Sequence, residues 1–86
     1  MDAYKVLIKP SALKELEAVP SKDRERVIRR IGRLAADPRP AGCEKLAGGE
    51  RYRVRQEVYR VVYLIDDAVR EVAIFKIGHR RDVYRA

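Results

Sequence analysis

The chain has a single cysteine, a single histidine and no tryptophan in 86 residues. Cys43 alone excludes an internal disulfide, and with His79 as the one imidazole a zinc site has too few ligands to close. No cofactor and no metal are expected. No apolar run approaches the roughly 20 residues needed to cross a bilayer, and MDAYKVLIKP lacks the basic, apolar and small-residue pattern of a secretory signal. The expectation is a cytoplasmic protein without a membrane role. A chain this short builds one core, so residues 1–86 are read as one domain.

What is abundant is charge. Twenty Lys and Arg against thirteen Asp and Glu leave a net charge of +7, a field that draws the chain toward nucleic acid or toward an acidic protein. A basic solvated surface would have the same composition, so position has to decide.

Tyr4–Ile8 reads as a short strand. Ser11 is a good N-cap, after which Ala12, Leu13, Leu16 and Val19 recur at helical spacing up to Pro20. Ser21 repeats the device, with Asp23 and Glu25 in the first turn and Val27, Ile28, Ile31, Leu34 and Ala35 as the apolar stripe. The other side of that helix carries Arg24, Arg26, Arg30 and Arg33, which suit either a solvated surface with local ion pairs or nucleic acid. Asp37–Glu50 concentrates proline and glycine and reads as a loop with Leu46 anchored in the core. Gly48 and Gly49 have no phosphate-loop pattern around them.

Three strands follow, Arg51–Gln56, Tyr59–Ile65 and Glu71–Ile77, forming a meander. The order predicts an α+β fold: an N-terminal strand, a two-helix hairpin and a three-stranded antiparallel meander forming a curled sheet, with both helices on one face. A two-residue turn at Glu57 and Val58 sets Arg55 opposite Arg60 and Val54 opposite Val61. Period two then gathers Arg51, Arg53, Arg55 and Arg60 on one face and sends Tyr52, Val54, Tyr59, Val61, Tyr63 and Ile65 to the other. Guanidinium groups present a planar fork of donors matched to phosphate oxygens, so this face suits an RNA backbone or the charge of a phosphoryl transition state. An acidic helix would satisfy the same groups. Beyond the last strand, GHRRDVYR adds His79, Arg80, Arg81 and Tyr84. His79 is either an acid or base near neutral pH or a surface residue; Tyr84 either stacks on a base or docks on its own domain.

Through LKELEAVP, KLAGGERYRVRQEVYRVVYLIDD and IFKIGHRRDVYR, the whole chain resembles the RelE/ParE superfamily of toxins from toxin–antitoxin pairs, and more closely its RelE branch. The resemblance implies a RelE-like fold and a ribosome-dependent endoribonuclease that cuts mRNA in the A site without a metal. It implies a RelB-like antitoxin, acidic or amphipathic, wrapping the basic face, and operator DNA bound through that complex. Family positions carried over fall on Arg53, Arg55, Arg60, Arg80 and Tyr84. Arg60 and Arg80 would stabilise phosphorane charge, Arg53 and Arg55, flanked by Arg51 and Arg81, would hold the backbone, and Tyr84 would stack and act as base. The best-studied family pattern has lysine where this chain has Arg53 and Arg55, and arginine cannot shed its proton; His79 is the expected substitute as acid or base. Two alternatives stand beside this reading: a ParE-like poison of DNA gyrase, and a non-catalytic module binding antitoxin and operator.

Overall fold

The computed structural model describes residues 3–47 and 49–79. Strand β1 (Lys5–Ile8) leads into helices α1 (Pro10–Glu17) and α2 (Ser21–Arg33), followed by β2 (Glu44–Lys45), β3 (Arg51–Gln56), β4 (Tyr59–Asp66) and β5 (Glu71–His79). The strands form one open five-stranded sheet in the order β1-β5-β4-β3-β2.

Both helices begin earlier than their serines suggest, α1 by two residues and α2 by one. Lys9, with extended backbone, is the N-cap of α1, and Pro10 takes the first helical position, where its fixed φ is already helical and its missing N–H costs nothing. Ser11 is therefore inside the helix. Pro20 is the N-cap of α2, no side chain closes that end, and Asp23 supplies the acidic group of the first turn.

Each helix buries a narrow line of residues against the sheet: Ala12, Leu16 and Val19 from the α1 segment, Val27, Ile31 and Leu34 from the α2 segment. The spacing i, i+4, i+7 keeps three side chains in one row. Leu13 and Ile28, one position along, are turned about 100° away and remain 45% and 49% exposed. The expected stripes were too wide because each helix meets the sheet on one side.

The sheet is mixed rather than wholly antiparallel. β1 runs parallel to β5, with Lys5 opposite Glu71 and Ile8 opposite Ile74, a pairing that requires a crossover, which the two helices supply. β2 is an edge strand in the segment read as a loop, pairing Glu44 with Arg53 and Lys45 with Tyr52; two residues are too few to show a period. The β3–β4 hairpin has the expected register, from Gln56 opposite Tyr59 to Arg51 opposite Leu64. Its turn places Glu57 at φ 56°, a left-handed conformation uncommon for a side-chain-bearing residue. Arg26 of α2 donates to Glu57 at 2.7 Å, tying this turn to the helices.

The helix-side face of the sheet closes the core with Tyr52, Val54, Val61, Tyr63, Ile65, Val72, Ile74 and Ile77. Tyr63 is fully buried and donates its hydroxyl to the Pro38 carbonyl at 2.7 Å; burial pushes its pKa up. Its ring stacks on Tyr52 at 6.0 Å. Outside this pair, Arg39 forks onto Asp67 at 3.2 and 2.9 Å and donates its Nε to the Tyr52 hydroxyl at 3.1 Å. Tyr4 also donates to Asp67, at 2.6 Å. One carboxylate thus joins the approach to β1, the loop after α2 and the β4–β5 turn.

The Arg39 guanidinium, and next to it the Tyr4 hydroxyl, hold the Asp67 carboxyl below its ordinary 3.8. A carboxyl whose pKa is lowered by folding contributes stability above the unfolded value and loses it as pH falls through the folded one. Urea titrations are expected to show wild type losing stability below about pH 4, with that part of the acid slope absent in Asp67→Asn. Separately, Ile74→Ala, which empties a fully buried site, is expected to cost about 2–5 kcal/mol in the same assay.

Candidate nucleic-acid interface

The face of the sheet opposite the helices is built in rows. Arg55 of β3 lies opposite Arg60 of β4, which lies opposite Gly78 of β5. The next row runs Arg53, Val62, Lys76, and the next Arg51, Leu64, Ala73. All four arginines expected to share a face do so, because the two-residue turn preserves the parity of both strands.

Their environments differ. Arg55 is exposed at the hairpin end. Arg60 is 5% exposed, the one charged residue in the buried set among the described residues, so packing around it restricts its guanidinium at the sheet surface. The Arg53 side chain is 15% exposed and pairs with Glu44 of the edge strand at 3.1 Å. Arg51 reaches across β4 and lays its guanidinium carbon 5.4 Å from the centre of the Phe75 ring. A cationic row with one rigid guanidinium and one exposed guanidinium directly opposite can bind two oxygens of one phosphate or bridge successive phosphates.

β5 departs from period two. A bulge sits opposite the Val62–Tyr63 step, with Val62 facing Lys76 and Tyr63 facing Ile74, leaving Phe75 as the extra residue. The core positions of this strand are therefore Val72, Ile74 and Ile77, spaced two and then three. This settles which residue of the last strand joins the arginine rows: Lys76 does by register, and His79 does not. His79 pairs with Tyr59, their rings meet edge to face at 6.1 Å, and both line a cavity of about 260 Å³ against Glu15, Ala18 and Val19 on the helix side. Whether Lys76 or His79 shares the arginine face was open from the sequence, and the bulge sets His79 opposite Tyr59 rather than in the row of Arg60.

Past the end of β1, the edge of β5 is covered by a side chain. Glu15 of α1 accepts the Ile77 N–H at 2.9 Å and lies 3.7 Å from the Lys76 ammonium, which draws Lys76 toward α1. The helix arginines split as well: Arg26 serves the hairpin turn and Arg24 donates to the Glu17 carbonyl at 3.2 Å, so both have structural work. Arg80, Arg81 and Tyr84 lie outside the described residues. Among the described residues no three His, Cys, Asp or Glu side chains gather to hold a metal ion, and no helix is long and apolar enough to cross a membrane.

Phe75 and Glu44 were missed from the sequence. The broken spacing of Val72, Ile74 and Ile77 was a readable sign of the first; the second depended on a strand too short to see. Directly opposed like charges are destabilising, by up to about 1 kcal/mol. Arg55→Thr is accordingly expected to raise stability by a few tenths of a kcal/mol in thermal unfolding, while weakening binding of any anionic ligand of this face.

The profile of the family described as ParE toxin of type II toxin–antitoxin system, parDE, matches residues 6–84. The Toxin RelG of Mycobacterium tuberculosis is 31% identical over 86 residues, spanning 95% of this chain and 97% of the relative. Among solved structures, the archaeal RelE–RelB complex from Pyrococcus horikoshii aligns at TM-score 0.82 and 27% identity, covering 91% of this chain and 96% of that one. The isolated E. coli RelE toxin aligns at TM-score 0.78 and 26% identity, covering 96% and 98%. The open sheet with two helices on one face is the architecture these structures share with it. The chain belongs to the RelE/ParE superfamily of type II toxin–antitoxin toxins, in its RelE-like branch.

Proposed function

We propose that this toxin is a ribosome-dependent endoribonuclease that cuts mRNA in the A site. The observation that carries the reading is the row in which exposed Arg55 faces buried Arg60, with Arg53 one row behind on the same helix-free face. In the proposed reaction the ribose 2′-oxygen forms a bond to the adjacent phosphorus and the bond from phosphorus to the 5′-oxygen breaks. The products are a 2′,3′-cyclic phosphate and a 5′-hydroxyl. Arg60, immobile at the sheet surface, and Arg80 stabilise charge on the phosphorane oxygens. Arg53, Arg55, Arg51 and Arg81 hold the flanking backbone.

The proton of the 2′-hydroxyl is assigned to Tyr84, and the departing 5′-oxygen takes its proton from water, which completes the 5′-hydroxyl. His79, turned toward α1, takes no part in proton transfer. A RelB-like antitoxin is the proposed partner, as in the RelE–RelB complex of Pyrococcus horikoshii, covering this basic face and linking it to operator DNA. The cytoplasm, where mRNA is translated, is the proposed compartment. Poisoning of DNA gyrase is the second reading, because the matching family is described through parDE.

Primer extension on mRNA translated in a reconstituted system tests the assignment. Wild type is expected to cut within codons and only with ribosomes. Arg80→Ala is expected to cut about 10²–10³-fold more slowly, and His79→Gln at the wild-type rate. Arg60→Lys, which keeps the charge and loses the fork, is expected to cut slowly with an unchanged circular dichroism spectrum. Intact mRNA together with gyrase-dependent DNA breaks would sink the nuclease reading.

A further inference from the structure

Phe75 is the one phenylalanine of the chain, and the bulge puts it on the wrong side for a core residue. Its neighbours Ile74 and Ile77 are buried under the helices, whereas Phe75 is half-buried on the arginine face, with the Arg51 guanidinium 5.4 Å from its ring centre. Bulges re-aim a side chain at the expense of a ladder position and recur beside functional sites. Packing does not call for this one, since the helices cover the other face.

Position along the strand fixes what the ring is near. Rows on one face are separated by two residues, roughly 7 Å. Phe75 lies between Ile74, opposite Tyr63, and Lys76, opposite Val62. That is between one and two rows from Arg60, about 10 Å along the sheet. A nucleotide whose phosphate sits at Arg55 and Arg60 has its neighbour at this distance. An aromatic face and a guanidinium plane are the two surfaces on which unpaired bases stack, and here the guanidinium lies over the ring, where an entering base displaces it and comes between the two.

We propose that Phe75 and Arg51 form a stacking platform for the base of the mRNA nucleotide adjacent to the cut, and so set where in the codon cleavage falls. This rests on the ribosome-dependent nuclease reading. Phe75 holds a base against its ring, and Arg51 closes over that base with its guanidinium while its charge faces the next phosphate. Neither residue touches the reacting atoms; they position the strand.

The test separates stacking from chemistry. Ribosomes programmed with 2′-O-methyl mRNA, which cannot be cut, carry 2-aminopurine at each A-site codon position in turn. Wild type and Phe75→Tyr are expected to quench one position; Phe75→Leu, similar in hydrophobicity and without a π-face, is expected to bind and leave every position bright. On cleavable mRNA the same Phe75→Leu is expected to raise KM about 10-fold, leave kcat within about twofold and spread cuts over more codon positions. Equal quenching by Phe75→Leu, or a wild type that cuts and quenches nothing, overturns the platform while leaving the nuclease reading intact. A wild type that neither cuts nor quenches overturns the ribosome reading, and the platform with it.

Discussion

The pairing register of β3 and β4 is the constraint on which the site depends. Ten side chains of alternating character become a basic face and an apolar face because Gln56 meets Tyr59 across a two-residue turn. A slip of β3 by one residue would carry each of its arginines under the helices and Tyr52 and Val54 into solvent. Burying several unpaired guanidinium groups costs far more than the like-charge repulsion between Arg55 and Arg60. The hydrophobic pattern therefore enforces an arrangement that is electrostatically unfavourable within the hairpin. The left-handed Glu57 in the turn is held from outside by Arg26, so α2 also guards the register.

Around this hairpin the fold assigns different duties to like residues. Arg39 is a structural arginine, gathering Asp67 and Tyr52 into a surface clamp. Arg53 is tethered to Glu44, Arg60 is sunk into the sheet and Arg55 is exposed. Such grading suits a surface that must hold a polyanion and release it. A rigid guanidinium is pre-organised for charge that develops at one point, whereas an exposed one loses side-chain freedom on each binding event.

The bulge in β5 has the widest consequences. It lets Val72, Ile74 and Ile77 all reach the core, sets Phe75 among the arginines, and turns His79 toward Tyr59 and α1. Glu15 covers the open strand edge just beyond β1 by accepting the Ile77 N–H. A single extra residue thus divides the candidate site, keeping the imidazole on the far side of the sheet from the cationic rows.

What was legible beforehand follows from local periodicity. The two helices, the last three strands, the Arg55–Arg60 opposition and the core valines and tyrosines were readable because period two and the 3.6-residue turn are properties of the backbone. The N-caps were misplaced, by two residues in α1 and one in α2, since Pro10 and Pro20 override the preference of the serines beside them. The parallel partner of β1, the edge strand β2, the Asp67 clamp and the side of the sheet taken by His79 came from the tertiary structure alone. Each joins residues far apart in the chain, or depends on a bulge that alters parity, and such pairings are chosen by which surfaces can be buried together rather than by any local preference.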